Sequence, residues 1–213
     1  VIPKANIVTV PDDFSLEKAS LAEPIACGWH AVRLAQEALD RALPNAQCLV
    51  IGGGAIGVGA ALSLRAAGAT EITMSEPNEI RRAYLLQHTD LAVVDPASLN
   101  SNVAFDLVID GVGFAQTRAT ACAVTRQGGV IMHIGLGSAE GGVDVRRLTL
   151  QEISFIGTYT YTAADFRATA QAMCKGRLGA LDWYETRPLE AGSQAFEDIR
   201  KGQVQAPKII LKP

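Results

Sequence analysis

The chain has 213 residues, of which 48% are hydrophobic and 19% are charged, a composition typical of a folded protein and not of a disordered one. A formal net charge of −3 and the lack of a basic run argue against nucleic acid or a membrane surface as a partner. The sequence shows no apolar stretch of the ~20 residues that cross a bilayer, no signal peptide pattern and no paired cysteine motif. We therefore predict a cytoplasmic protein with reduced thiols.

The chain begins with Val1 instead of Met, and its first residues form no clear element. We expect a fragment whose N-terminal neighbour is missing; a processed native start is the alternative. A short strand is predicted over residues 7–10, and Ser15 is predicted to cap a helix over residues 16–21. A longer helix follows over residues 24–43 and ends at Pro44.

Strands and helices then alternate. The predicted strands cover residues 48–51, 71–74, 91–94, 106–109, 130–134 and 153–157, and the predicted helices cover residues 55–67, 78–87, 114–126 and 163–175. Near-continuous Val, Ile and Leu in the strands suits a parallel sheet covered on both faces. With right-handed crossovers, this pattern predicts an α/β fold with a doubly wound Rossmann sheet of strand order 3-2-1-4-5-6.

The alternation stops after Gly176. An extended segment over residues 181–187, a helix over 193–201 and a closing strand over 206–211 are predicted to form a small appendage to the sheet.

The turn after the first of the alternating strands reads Gly52-Gly53-Gly54-Ala55-Ile56-Gly57, which matches the dinucleotide-binding fingerprint G-x-G-x-x-G. The first glycine makes the tight turn, the second lets backbone approach a pyrophosphate, and the third lets the helix pack on the strand. The helix N-terminus then faces the phosphates.

Glu76 ends the next predicted strand, about 20 residues beyond the last of these glycines, where a ribose-binding acid is expected. A carboxylate here accepts hydrogen bonds from both ribose hydroxyls and repels a 2′-phosphate, which favours NAD over NADP. Arg81 and Arg82 leave the alternative open, because either could serve a 2′-phosphate; otherwise they form a solvated helix face.

Glycines recur where two later strands end, at 110–113 and 134–137, and leave room for a flat ring at the carboxyl edge of the sheet. Glu23 stands just before a helix that starts at Pro24, where a carboxylate favours the helix dipole. Glu23, Cys27 and His30 could suggest a metal site, but on one helical turn their side chains diverge.

The order of these motifs resembles that of the zinc-dependent medium-chain alcohol dehydrogenases. The motifs that carry the resemblance are Ala22-Glu23-Pro24 with Gly28 and His30, the glycine fingerprint, Glu76, the turn over 134–137 and the closing segment over 207–212. The sorbitol/polyol and threonine dehydrogenase branch is the most similar. The resemblance implies a tail of the catalytic domain over 1–24, an NAD-binding domain over 25–177 and a segment over 178–213 that returns to the catalytic domain. The GroES-like catalytic domain itself would be largely absent.

The resemblance, together with the fingerprint, gives these cofactor-binding positions: Cys27, Gly52, Gly54, Ala55, Ile56, Gly57, Glu76, Arg81, Val112, Ile134, Leu136, Thr158, Thr160 and Lys208. Cys27 and Ile56 would lie against the nicotinamide and Val112 on the adenine side. Arg81 would lie near the adenosine ribose and Lys208 near the pyrophosphate. The carboxamide would be bordered by Ile134 and Leu136 at the end of the fifth strand and by Thr158 and Thr160 after the sixth.

Glu23 falls where the family places its third zinc-site residue, so the resemblance implies a metal role for it in the intact enzyme, with the other ligands outside this chain. The implied function is the cofactor-binding part of a zinc-type NAD-dependent dehydrogenase that moves hydride between a secondary alcohol or polyol and nicotinamide. Its catalytic residues are not assigned, and the piece alone is expected to be inactive.

A non-catalytic dinucleotide-binding module is the main alternative, followed by an NADP-dependent reductase and an S-adenosylmethionine methyltransferase. Family members associate through the last strands of the sheet, so we expect a homodimer or homotetramer with residues 144–150 and 153–161 as its strand edge.

Overall fold

The N-terminal segment runs along the surface before the first regular helices. The structure is a computed structural model that describes residues 2–99 and 103–213. After a 3-10 turn at Lys4–Asn6, the described residues 7–10 form no strand, so that prediction was wrong. Ile7 is 52% exposed. β-Branched residues alone do not make a strand where no partner strand pairs with them.

The first two helices are α1 (Leu16–Ala19) and α2 (Ala22–Ala38). The hydroxyl of Ser15 accepts a hydrogen bond from the amide of Lys18 at 3.2 Å, which confirms the predicted cap. Helix α2 ends earlier than predicted because the backbone of Leu39 is extended. The apolar Leu43, which continued the helical spacing, is buried from a 3-10 turn instead.

A six-stranded parallel sheet forms the centre of the molecule. Its strands are β1 (Gln47–Ile51), β2 (Glu71–Ser75), β3 (Ala92–Val94), β4 (Phe105–Asp110), β5 (Thr125–His133) and β6 (Ser154–Gly157). The strand order is β3-β2-β1-β4-β5-β6, which confirms the doubly wound prediction.

Helices cover both faces of this sheet. They are α3 (Ala55–Ala66), α4 (Glu79–His88), α5 (Ala115–Val124), α6 (Val145–Leu150) and α7 (Ala163–Cys174), together with α2. Neighbouring strand residues enter different apolar clusters, Leu49 on one face and Val50 on the other. The strands are therefore buried on both sides, as their apolar sequence indicates.

Two further boundaries differ from the sequence prediction. Residues 144–150, expected as part of a strand edge, begin with a cap at Asp144, whose carboxylate accepts the amide of Arg147 at 2.9 Å, and form α6. Strand β5 starts at Thr125, so Arg126 lies in a strand and not in the preceding helix. The guanidinium of Arg126 pairs with Asp106 of β4. This contact between distant residues decides against helix at that position.

The C-terminal region forms a second, two-stranded parallel sheet of β7 (Tyr184–Pro188) and β8 (Lys208–Lys212), joined by α8 (Gly192–Arg200). It is therefore not a direct extension of the large sheet. The hydroxyl of Tyr84 donates to the carbonyl of Tyr184 at 3.1 Å and links the two parts. In the described ranges, no helix has both the length and the apolar character that crossing a membrane requires.

Candidate cofactor site

The carboxyl ends of the central strands are held together by their own backbone. The amide of Gly52 donates to the carbonyl of Ser75 at 2.8 Å, and the amide of Gly111 donates to the carbonyl of Ile51 at 3.0 Å. The strand order reverses between β1 and β4, so this edge is the topological switch point where open α/β sheets bind ligands.

The three fingerprint glycines of the turn between β1 and α3 are needed for different reasons. Gly52 has φ of +99°, and a Cβ there would collide with the side chain of Val112. A Cβ on Gly57 would collide with the carbonyl oxygen of Gly52. A Cβ on Gly54 would meet no atom within 4 Å. Gly54 is thus the glycine that keeps space open in front of the turn, while Gly52 and Gly57 are needed by the fold itself.

Helix α3 begins at Ala55 with no side-chain cap from Gly54. The first amides of a helix have no partner within the helix, and the helix dipole adds a partial positive charge there. An uncapped helix start that opens onto free space is suited to a phosphate group.

The side chain of Glu76 is fixed by two backbone amides. Its Oε2 accepts the amide of Gly53 and its Oε1 accepts the amide of Asn78, both at 2.8 Å. Only 5% of the residue is exposed. Each carboxylate oxygen has a second lone pair, so both can still accept a hydroxyl. The carboxylate therefore lies next to the glycine turn, where a ribose beyond the diphosphate would be.

The two arginines of α4 take different roles. Arg82 donates to the carbonyls of Glu76 at 2.8 Å and Pro77 at 2.7 Å and pairs with Asp95 at 3.0 Å. It fixes the turn after β2 and is not the solvated face considered from the sequence. Arg81 lies 4.0 Å from the carboxylate of Glu76 through Nη1. Its buried Nε has no hydrogen-bond partner within the part of the chain that the structure describes.

A cleft of about 410 Å³ brings together four predicted cofactor residues: Gly54, Ala55, Arg81 and Lys208 line it. Helix α8 and the segment before β8 form its other wall. The cleft is suited to an anionic group such as a diphosphate. It offers two cationic side chains, free helix amides, an unpartnered guanidinium nitrogen and the space in front of Gly54. The residues present therefore fit the phosphate part of a dinucleotide.

The strands on the other side of the switch point end in a region of tightly packed backbone. The amide of Ile134 donates to the carbonyl of Asp110 at 3.0 Å, and the amide of Thr158 donates to the carbonyl of His133 at 2.9 Å. Leu136 is 82% exposed. The buried Oγ1 of Thr158 has no hydrogen-bond partner in the described ranges, so it is free to bind a polar ligand group.

Thr160 has a φ of +51°, which is strained for a threonine and directs the chain just after β6. Val112 lies against Gly52 at the switch point itself. Ile56 is partly buried in the first turn of α3. These predicted positions all follow the carboxyl ends of strands, at the same edge of the sheet as Glu76.

Helices α2 and α3 cross in close contact, because a Cβ on Gly28 would collide with the backbone of Ala60. Near the start of α2, the exposed Glu23 and the buried Cys27 lie close to Tyr161, which follows β6. Burial raises the pKa of the Tyr161 hydroxyl, and the charge of Glu23, with which it hydrogen-bonds, raises it further. Sequence reasoning missed Tyr161, although a phenol just after a strand end was a visible signal.

The donor set around Glu23 does not by itself make a zinc site. Burial raises the pKa of the Cys27 thiol, with the charge of Glu23 adding to the effect, and its sulfur donates to the carbonyl of Glu23 at 3.8 Å. A zinc ligand would need the thiolate. His30 instead lies 2.8 Å from Asp165 of α7. Among residues 2–99 and 103–213, no group of three His, Cys, Asp or Glu side chains could hold a metal ion.

Comparison with known proteins identifies the family. Residues 55–175, more than half of the chain, match the family described as zinc-binding dehydrogenase. This chain belongs to the zinc-binding dehydrogenase family. The resemblance drawn from the sequence motifs is thereby confirmed.

Two curated relatives of this family member show the extent of the match. It is 28% identical to the probable (R)-acetoin-forming diacetyl reductase 2 of Saccharomyces cerevisiae, over 100% of this chain and 54% of that protein. It is 30% identical to L-galactonate-5-dehydrogenase of Escherichia coli, over 84% of this chain and 53% of the relative. The chain spans about half the length of these relatives.

Solved structures share the fold. A thermostable alcohol dehydrogenase from Pyrobaculum aerophilum has a TM-score of 0.83 and 25% identity, covering 100% of this chain and 62% of that one. Acetophenone reductase from Geotrichum candidum, solved in complex with NAD, has a TM-score of 0.83 and 23% identity, covering 97% and 58%.

Proposed function

We propose that this chain is the cofactor-binding part of a zinc-type dehydrogenase that uses NAD to oxidise a secondary alcohol or polyol, or to reduce the corresponding ketone. One observation carries the proposal: the uncapped start of α3 opens onto free space at Gly54, in a cleft that is also lined by Lys208 and by Arg81, which lies 4.0 Å from the carboxylate of Glu76. Its relatives include proteins named as a probable (R)-acetoin-forming diacetyl reductase and an L-galactonate-5-dehydrogenase.

The amides at the start of α3 bind the diphosphate in this proposal, and Lys208 and Arg81 add positive charge beside it. Glu76 accepts hydrogen bonds from the adenosine ribose. A 2′-phosphate at the same place would meet a carboxylate that is already fixed by two amides, so NAD is favoured over NADP.

The nicotinamide would extend across the ends of β4, β5 and β6. Thr158 offers the ring's carboxamide an unpartnered hydroxyl, and Ile134, Leu136 and Thr160 border it. Cys27 and Ile56 would cover the ring from the helix side, and Val112 would lie on the adenine side of the turn. When bound, the nicotinamide supplies the hydride acceptor; the residues named here orient it and exclude water.

Zinc enters this proposal only with residues outside the described chain. Glu23 would join or border the metal shell, with the remaining ligands from a catalytic domain formed by other sequence, while residues 1–24 and 178–213 would flank the NAD-binding domain over 25–177. Without those ligands, we expect no alcohol oxidation by these 213 residues, in the presence or absence of added zinc. Zinc-dependent turnover by the purified chain would contradict this arrangement.

A homodimer or homotetramer is proposed through the β6 edge. β6 is the last strand in the described sheet, and the neighbouring Leu150 and Tyr159 are 63% and 77% exposed. An open parallel edge with exposed apolar neighbours favours pairing with a second copy. Light scattering coupled to size exclusion should give at least twice the 22.5 kDa chain mass, and a monomer at all concentrations would refute this part.

Titration of the purified chain with NADH, NADPH and S-adenosylmethionine tests the cofactor proposal. We expect NADH to bind tightest, NADPH about tenfold or more weaker because of Glu76, and no saturable binding of S-adenosylmethionine. Tightest binding of the methyl donor would identify a different class of protein, and no binding of either nicotinamide nucleotide would reject the function altogether.

A further inference from the structure

Arg118 of α5 is a buried arginine whose hydrogen bonds all go to the loops that follow β4 and β5. It is 5% exposed. Its Nε donates to the carbonyl of Gly141 at 2.6 Å, and Nη1 donates to the carbonyls of Gly113 at 2.8 Å and Ser138 at 3.0 Å. Its Nη2 donates to the hydroxyl of Ser138 at 3.1 Å and to the carbonyl of Glu140 at 2.5 Å. All five N–H donors of a guanidinium are thus used.

Three of these acceptor residues belong to the loop that follows β5. The first part of this loop is already fixed by backbone: the amide of Gly137 donates to the carbonyl of Val112 at 3.1 Å, and that of Ser138 to the carbonyl of Gly113 at 2.9 Å. A Cβ on Gly135 would collide with the backbone of Val112, so the loops after β4 and β5 are in direct contact. Arg118 binds the outer part, residues 138–141.

Arg118 makes no ion pair with any residue of the described ranges. Its charge is stabilised by carbonyl oxygens that are aligned only when the loop keeps this conformation. Hydrogen bonds from a charged donor are about twice as strong as neutral ones, and a buried carbonyl left without a donor is costly. The side chain therefore specifies the shape of the loop.

This loop carries Leu136, one of the residues expected at the nicotinamide end of the cofactor, and begins directly after Ile134, another of them. Glu76 and the start of α3 set the adenosine and diphosphate on one side of the switch point, so the remaining half of the molecule extends over β4, β5 and β6. Leu136, at the start of this loop, is 82% exposed.

We propose that Arg118 is a positioning residue for the nicotinamide half of the cofactor, acting through the loop over residues 135–141. It rests on the proposed function, since it needs NAD at this edge of the sheet. Arg118 does not contact the ring; it fixes the backbone that does.

ADP-ribose separates this role from a general effect on folding or binding, because it shares the adenosine and diphosphate with NADH but lacks the nicotinamide. In Arg118→Met, the five hydrogen bonds are lost while an unbranched apolar side chain still fills the inner part of the buried site. We expect the affinity for NADH to fall by about tenfold and the affinity for ADP-ribose to change by less than about twofold. The emission of bound NADH should shift toward that of the free nucleotide, since the ring is less well shielded.

Arg147 provides a matched control. Its guanidinium also binds backbone carbonyls, those of Cys122 at 2.6 Å and of Ala123 and Thr125 at 3.1 Å, but at the opposite end of α5 and β5. Arg147→Met should leave the affinities for NADH and ADP-ribose unchanged, even where it lowers the melting temperature. Arg118→Lys should recover part of the NADH affinity.

If Arg118→Met does not fold, Gly141→Ala perturbs the same loop from its surface, because Gly141 has φ of +80°. Gly141→Ala should show the same selective loss of NADH affinity, but a smaller one. Equal losses for NADH and ADP-ribose, or no loss for either in both variants, would overturn the role of Arg118. Failure of the unmodified protein to bind either nucleotide would instead reject the proposed function.

Discussion

The two halves of the candidate cofactor site are built in different ways. The diphosphate and ribose half consists of one turn, Gly52 to Gly57, and a carboxylate on the next strand, held by hydrogen bonds of 2.8 Å to nearby backbone amides. The proposed nicotinamide half combines distant segments: Cys27 from α2, the loop fixed by Arg118 and the end of β6, after which Tyr161 lies close to Cys27 and Glu23. The diphosphate and ribose half, here called the local half, depends on single glycines. The nicotinamide half, here called the assembled half, depends on side-chain contacts between elements, so the two should respond differently to substitution.

The largest effect is expected within the local half, where two glycines of one turn should behave in opposite ways. Gly57→Ala places a methyl group against the carbonyl oxygen of Gly52 and should lower the free energy of unfolding by about 3 kcal/mol or more. Gly54→Ala places its methyl in open space, so stability should change by less than about 0.5 kcal/mol, while NADH affinity should fall about tenfold.

Urea unfolding of both variants and NADH titration of Gly54→Ala check this pair. A stable Gly57→Ala, or a Gly54→Ala that binds NADH like the unmodified chain, would contradict the separation of fold-determining and ligand-facing glycines.

The next effect concerns the contact that fixes α2 in the assembled half. Asp165 of α7 accepts Nε of Arg33 at 2.9 Å and lies 2.8 Å from His30. Hydrogen bonds from Arg33, Thr162 and His30 outweigh burial and hold the pKa of the Asp165 carboxyl well below its usual range. Asp165→Asn should lower the free energy of unfolding at neutral pH by about 2 kcal/mol.

The sign of the pH dependence follows from that lowered pKa. The stabilisation is complete above the unfolded-state pKa of about 3.9 and is lost as the pH falls toward the folded-state value. Unfolding curves measured between pH 7 and pH 2 check this. The free energies of unfolding of the unmodified chain and of Asp165→Asn should approach each other only at acid pH. Glu37→Gln, which removes the exposed partner of Arg33, should cost less than about 0.5 kcal/mol, and an equal cost for both changes would count against the contact.

Removal of the ribose acid tests the specificity of the local half. Glu76→Gln keeps the size of the side chain but removes the charge that is 4.0 Å from Arg81. NADH affinity should fall by about tenfold while NADPH affinity stays the same or rises, so that their ratio shifts toward NADPH. Glu79→Gln, on the exposed side of α4, is the control and should leave the ratio unchanged. A ratio that stays constant in Glu76→Gln would remove Glu76 from cofactor selection.

The smallest effect is expected from Tyr161, whose hydroxyl hydrogen-bonds to the exposed Glu23. Tyr161→Phe should reduce stability by about 1 kcal/mol or less. It should also remove one tyrosine whose pKa is raised, as that of Tyr84 is, and so reduce the part of the absorbance titration that occurs above the normal range. Tyr159→Phe removes a phenol that is 77% exposed and should leave both stability and this high-pH titration in place. If Tyr161→Phe leaves the titration curve unchanged, Tyr161 and Glu23 are not in contact.

The same contrast explains what could be predicted from the sequence. The strand order, the glycine turn and Glu76 were accessible because apolar strands and a spacing of about 20 residues are local patterns. For the nicotinamide half, the glycines at 110–113 and 134–137 predicted space for a flat ring, but the individual residues were accessible only through the family resemblance. Nothing in the spacing of Arg118 indicates that it binds a loop beyond the next strand, and only the folded chain shows Asp165 beside His30.

Boundary errors have the same origin. The family resemblance placed residues 144–150 at the strand edge, but the cap formed by Asp144 makes the segment helical. Arg126 was predicted at the end of a helix, but in the structure it lies in β5 and pairs with Asp106. In each case one side-chain interaction, which periodicity does not contain, determined the structure.

A crystal structure of the chain with NADH bound tests the central claim most directly. We expect the diphosphate in front of Gly54 within hydrogen-bonding distance of the first amides of α3, and the adenosine ribose on the carboxylate of Glu76. NADH bound at any other surface, or no bound nucleotide at saturating concentration, would contradict it.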